Sequence, residues 1–158
     1  MHSSLGGRMS QTKDYSLSDN NIRTLVYFFG IQLDHRITHL LKNTPYEKVR
    51  PSDSRVFVTA TRGHETISEI ARHLHISRQS AQSSVSRLVK IGLLNLANHP
   101  SSKREKLVII TDQGLSASAY AIAQLRKIET ELAAIVGPDV YATLKRGLEA
   151  LVEQGRKT

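Results

Sequence analysis

The chain has 158 residues, with 22 Lys and Arg against 14 Asp and Glu and a formal net charge of +8, which favours an anionic partner such as nucleic acid or an acidic membrane surface. It contains no cysteine, so disulfides, thiolate metal sites and thiol redox sensing are excluded. No apolar run approaches the roughly 20 residues of a membrane span, and the N-terminus lacks the apolar core of a signal peptide, so the expectation is a cytoplasmic protein of one domain, or one domain with extensions.

Residues 1–17 are rich in Ser, Gly and Gln without periodicity and read as a flexible tail, with Met9 a second candidate start. From about Asp19 to Asn43, Ile22, Leu25, Val26, Phe29, Leu33, Ile37, Leu40 and Leu41 recur at helical spacing, and Ser18 or Asp19 is placed to cap the helix. Pro45 and Pro51 bracket a loop. Ser52 to Thr61 then predicts a shorter helix with Val56, Phe57 and Ala60 on its apolar face. After a break at residues 62–65, Thr66-Ile67-Ser68-Glu69 is a capping-box sequence, and Ile67, Ile70, Ala71 and Leu74 form one buried stripe. Ser77 caps the next helix, which turns Ala81, Val85, Leu88 and Val89 inward and ends at Gly92.

Leu93 to Ala97 and Lys106 to Ile110 read as two short strands, joined by a basic, turn-rich loop from Asn98 to Lys106 with its turn at residues 99–102. Thr111 caps a long helix to about Val136, on which Leu125, Ile128, Leu132 and Ile135 follow the spacing of helix-on-helix packing. Gly137-Pro138 stops it. Asp139 caps a last helix to about Gln154, with Val140, Leu144, Leu148, Leu151 and Val152 inward.

Helix, tight turn, polar-faced helix and basic hairpin, in that order, describe a winged helix-turn-helix. The second helix places Gln79, Gln82, Ser83, Ser86 and Lys90 on one stripe, with Arg87 at its edge and Ser77 and Arg78 at its start. Gln and Arg can each bond a base edge in two places, and Ser serves either donor or acceptor. Lys103, Arg104 and Lys106 on the wing are placed to meet flanking backbone or minor groove, and Thr66 at its helix start offers a second phosphate contact.

Residues 51–114 resemble the MarR family of bacterial transcription regulators. The likeness is carried by Thr66 to Leu74, Ile76-Ser77-Arg78, Ser86-Arg87-Leu88, Gly92-Leu93-Leu94, and the run from Leu107 to Gly114. Helix order extends it over about residues 19–154. The fold expected is mostly α with a small two- or three-stranded β wing: a winged helix-turn-helix with long N- and C-terminal dimerisation helices. The corresponding division is a tail at 1–17, a dimerisation helix at 18–48, the DNA-binding domain at 49–111 and C-terminal dimerisation helices at 112–158. The resemblance implies a homodimer on a pseudo-palindromic double-stranded operator, most often a repressor, released by a small phenolic or anionic effector. A dimer also agrees with the apolar surface of the terminal helices, which exceeds what so small a headpiece can cover. Arg104 occupies the family's wing-tip arginine position. The acidic residue that braces it two places earlier is Ser102 here.

The bland readings set the alternatives: a nonspecific architectural DNA-binding protein, a zinc-responsive regulator, or an adaptor whose winged helix binds protein. His35 and His39, four apart, have metal-ligand spacing but no cysteine to complete a site. His73 and His75 read as surface residues or phosphate neighbours. His64-Glu65 begins a zinc-protease pattern that Ser68 breaks, and Gly114-Leu115-Ser116 lacks the second glycine of a nucleophile elbow. Neither an enzyme nor a cofactor is expected. Tyr27, Phe28, Phe29 and Arg55 read as ordinary packing rather than as the border of an effector pocket.

Overall fold

The computed structural model describes residues 21–63 and 65–155. The chain divides into two compact units within its first helix, between Leu33 and Asp34. That helix, α1, spans Ile22–Leu41. The side-chain oxygen of Asn21 accepts from the amide of Thr24 at 3.0 Å, and its carbonyl accepts from Leu25 at 3.1 Å. Asn21 therefore does the work of the cap that was expected from Ser18 or Asp19; those two and the predicted tail lie outside the described residues. In the first unit Ile22, Leu25, Val26, Tyr27 and Phe28 are all exposed among the described residues, and the rings of Tyr27 and Phe28 meet edge-on.

The second unit holds the core. After α1 come α2 (Pro51–Thr61), α3 (Ile67–His73) and α4 (Arg78–Lys90), then strands β1 (Leu94–His99) and β2 (Ser102–Ile110). Proline, with its fixed φ and no amide to waste, starts α2 one residue earlier than predicted. Thr66 and Glu69 close the expected capping box at the head of α3, at 3.2 and 3.0 Å. The turn to α4 passes through His75 at φ +52°. Ser77 Oγ then accepts from the amide of Ser80 at 3.1 Å, so α4 begins where the sequence places it. Its end is a left-handed cap: Gly92 has φ +79°, Gly92 N donates to Val89 O and Leu93 N to Leu88 O, both at 2.9 Å.

Val56 of α2, Ile70 of α3, Ala81, Val85 and Leu88 of α4 and Leu94 of β1 are fully or almost fully buried against one another. Each large side chain sealed this way contributes about 1.5–3 kcal/mol relative to exposure. This cluster sets the rotation of α4, since its three innermost residues can face only one way.

The wing is an antiparallel pair running from Leu94↔Ile110 to His99↔Ser102. Both strands reach further than predicted, and Asn98 to Lys106 is mostly strand rather than loop. Polar residues on a hairpin with both faces wet carry no alternation, so its outer half is invisible to periodicity. Lys103, Arg104 and Glu105 stand between the His99↔Ser102 and Asn98↔Lys106 pairs with no partners on β1, which makes a bulge at the wing tip. Among the described residues one bridge, Thr66↔Leu107, with Val108 N donating to Glu65 O at 2.8 Å, adds to the two-stranded ladder.

Helix α5 covers Asp112–Val136 and α6 covers Pro138–Gly155. Thr111 Oγ1 accepts from Gly114 N at 2.9 Å and donates to Gly92 O at 2.6 Å, which ties the start of α5 to the end of α4. Gly137, at φ +93°, separates the two helices. Pro138 is the first residue of α6, so Asp139 sits in its first turn and is not the cap that was expected. The inward face expected of α6 is also corrected. Val140, Leu144, Leu148, Leu151 and Val152 are exposed, Leu151 at 68%, and Ile135 at the end of α5 is exposed at 75%. Only Ile128 of the predicted α5 stripe is fully buried. Helical spacing identifies an apolar face but not what covers it.

Gly114 is required by space. A Cβ built there would stand 2.2 Å from the carbonyl oxygen of Leu93, a backbone atom just before β1 that accepts from the amide of Thr111. Gly114→Ala is expected to destabilise the fold by about 1–3 kcal/mol, read as a lowered melting temperature. An unchanged melting temperature would show that α5 can shift away from the wing.

Candidate nucleic-acid interface

Helix α4 presents two unlike faces. Ala81, Ser84, Val85 and Leu88 are buried, while Ser77, Arg78, Gln79, Gln82, Ser83, Ser86 and Lys90 are exposed. The predicted stripe is thus brought together on one solvent-facing side. Its side chains are short or uncharged except at the ends. Gln82 Nε2 donates to Ser86 Oγ at 3.3 Å, one turn further on.

Arg87 departs from the expectation. Its Nε donates to both carboxylate oxygens of Asp53 at 3.1 Å, and its Nη2 donates to Asp53 Oδ1 at 2.6 Å and to Ser84 Oγ at 2.9 Å. The guanidinium is held on α2, so Arg87 positions α4, while its side chain stays 37% exposed at the edge of the stripe. Thr66 is corrected in the same way. Its hydroxyl accepts from Glu69 N, and it is the burial of the residue that keeps this side chain from a phosphate.

Asp53, missed by sequence reading, is 1% exposed. Burial pushes its carboxyl pKa upward, but hydrogen bonds from Arg87 and Ser84, the charge of Arg87 and the amide of Arg50 together outweigh burial and hold it below the ordinary 3.8. The local signals were an aspartate in the first turn of α2 and a serine on the apolar side of α4, three residues before an arginine.

On the wing, Lys103 and Arg104 are exposed at the bulge. Lys106 is tied to Asn98 Oδ1 across the ladder. Ser102 Oγ accepts from the backbone amide of Arg104 at 3.3 Å, so it orders the bulge backbone and does not brace the guanidinium.

A second feature lies on the other side of α2. An open cleft of about 370 Å³ is lined by Asp34, Thr38, Arg50, Arg55, Arg62 and Leu125, among others. An apolar cavity of about 110 Å³, walled by Tyr46, Phe57, Ala117 and Ile122, shares Leu41, Val49, Ser54, Val58, Ala121 and Leu125 with it. Arg55, expected to be packing, has an exposed side chain paired with Asp34 at 3.4 Å and lines this cleft. Among the described residues no three His, Asp or Glu side chains gather as a metal site, and no helix is long and apolar enough to cross a membrane.

The architecture is the winged helix of the MarR regulators. No family model matches the sequence, and no curated protein matches it either. Solved structures do. A MarR transcriptional regulator from Methanosarcina mazei Go1 superposes with a TM-score of 0.74 at 14% identity, over 86% of this chain and 96% of that one. Wild-type MarR in its apo form from E. coli gives 0.71 at 19% identity, over 83% and 96%. The transcriptional repressor CouR, bound to a 23-mer DNA duplex, gives 0.71 at 19% identity, over 87% and 96%. Identities this low establish a shared fold.

The Arg87–Asp53 fork has a measurable cost of removal. Arg87→Met strands a buried carboxylate and is expected to cost about 3 kcal/mol in urea unfolding at pH 7. Because the wild-type carboxyl has a lowered pKa, its stabilisation is complete above pH 3.8 and disappears as pH falls through the folded value. The stranded carboxyl of the variant shifts the other way and is relieved by protonation. The gap between the two proteins should therefore narrow from pH 7 toward pH 4. A gap that does not change with pH would contradict the assignment.

Proposed function

We propose that this chain is a sequence-specific, double-stranded-DNA-binding transcriptional regulator of the MarR type, acting as a homodimer. The observation that carries the reading is α4: one face locked into the core and onto Asp53, the other a bare row of Arg78, Gln79, Gln82, Ser83 and Ser86. Such a helix enters the major groove with its N-terminal residues on base edges. Ser77 and Lys90 at its two ends and Lys103 and Arg104 at the wing supply phosphate or minor-groove contacts, with the charge of +8 behind them. Lys106 contributes its charge while held by Asn98. The similar fold of CouR on a DNA duplex supports this use of the scaffold.

The dimer is supported by the uncovered apolar residues of α6 and of the end of α5, which a two-fold partner would bury. A symmetric pair sets its half-sites about one helical turn apart, roughly 34 Å. The reading extends to repression relieved by a small phenolic or anionic effector. The cleft beside α2 supports that part, because it sets Arg50, Arg55 and Arg62 next to an apolar recess. An effector there acts by favouring one spacing of the two reading heads. The division into an N-terminal dimerisation helix, a DNA-binding domain at 49–111 and C-terminal dimerisation helices follows from the same reading.

Selection of bound duplexes from a random pool tests the proposal. The expected product is an inverted repeat with half-sites about ten base pairs apart. Arg104→Ala should weaken all sequences alike, by roughly tenfold, and flatten the salt dependence by about one ion. A steep salt slope with no enriched sequence would instead identify a nonspecific architectural protein, which the net charge alone would also allow. A panel of phenolic acids should raise the melting temperature and weaken binding to the selected duplex. Arg62→Ala should blunt both effects; an unaltered response would remove the cleft from the scheme.

A further inference from the structure

The amide of Gln82 is already oriented before any partner arrives. Its Nε2 donates to Ser86 Oγ at 3.3 Å, an i to i+4 contact on the exposed face of α4. Gln79, three residues earlier on the same face, makes no side-chain hydrogen bond among the described residues. A free glutamine must freeze its torsions on binding, and the bond to Ser86 removes part of that cost in advance.

The bond also selects what the amide can offer. One N–H is used on Ser86, which leaves the second N–H and Oε1: one donor beside one acceptor. The major-groove edge of adenine has the complementary pair, an acceptor at N7 and a donor at N6. Turned over, the same amide would accept the hydroxyl proton of Ser86 on one lone pair of Oε1 and keep both N–H groups free. Two free donors are what the two acceptors of guanine, N7 and O6, require. The orientation found, with one N–H already used on Ser86, leaves a single donor beside an acceptor and so favours adenine over guanine.

We infer that Gln82 is the adenine-reading residue of α4 and that Ser86 is a positioning residue, which acts through Gln82 rather than on a base of its own. This rests on the DNA-binding reading proposed above. Arg87, the next residue, supports the division of labour. Its fork on Asp53 fixes the last turns of α4, so the serine that orients Gln82 is itself held in place.

The test applies random-pool selection to the full-length wild type and to Gln82→Ala, Ser86→Ala and Ser86→Thr. The wild type should select adenine at one position of each half-site, the position whose preference Gln82→Ala alone abolishes. Ser86→Ala should lower adenine preference at that same position about three- to tenfold and leave the other positions intact. Ser86→Thr keeps the hydroxyl and should keep the preference. A second measurement needs no DNA: in the free protein, Ser86→Ala should move the NMR signal of the Gln82 side-chain amide and leave that of Gln79 unmoved. Guanine at the Gln82 position, a Ser86→Ala effect at a different position, or an unmoved Gln82 amide would overturn the inference. Selection of a clear site that Ser86→Ala leaves unchanged would overturn it while sparing the DNA-binding reading. A wild type that selects no site would overturn both.

Discussion

The presentation of α4 depends on the fork between Arg87 and Asp53. Apolar packing through Ala81, Val85 and Leu88 decides which side of the helix faces in, but such contacts are non-directional and tolerate small rotations. The fork is directional. Three short donor–acceptor contacts to a carboxylate that is almost wholly buried define the angle of α4 against α2. Ser84 completes the arrangement from the same helix, and the amide of Arg50 does so from the start of α2. The polar row on the far side of α4 then stands clear of the body without needing a contact of its own.

That arrangement also gives α2 two roles. Asp53 and Val56 face α4 and the core, while Arg50, Ser54, Arg55, Val58 and Arg62 line the cleft on its other side. Helix α2 is thus joined to α4 by a charged hydrogen bond as well as by packing. At the far end of the chain, α6 has no buried residue at all, yet its apolar positions recur regularly. A helix of that kind is stable in water only with a partner for its apolar side. The core of the second unit is closed within the chain, whereas the apolar positions of α6 are exposed.

Much of this was legible in the sequence wherever the signal is local. Thr66 with Glu69, Ser77, Gly92 and Thr111 mark helix ends by chemistry confined to a few neighbouring residues, and each cap is where its spacing puts it. The two faces of α4 follow from helical periodicity alone. What was not legible depends on residues far apart in the chain. Arg87 sits at the edge of a polar stripe, and only the fold reveals Asp53, 34 positions earlier, as its partner. Thr66 looked available for phosphate until its burial beneath the wing was seen. The wing tip was misjudged because a wet hairpin of Asn, His, Ser and Lys carries no alternating pattern. The α6 stripe was placed inward because periodicity identifies an apolar face without saying whether the chain itself covers it.

The central claim is that the exposed row on α4, with the bulge on β2, is the surface that meets duplex DNA. Its most direct measurement is an NMR titration of the labelled protein with duplex DNA at low ionic strength, following backbone amides and the side-chain amides of Gln79 and Gln82. The account predicts shifts concentrated at residues 77–86 and 103–104, with the signals of α6 left in place. Shifts confined to α6, or none on α4 as duplex is added, would contradict it.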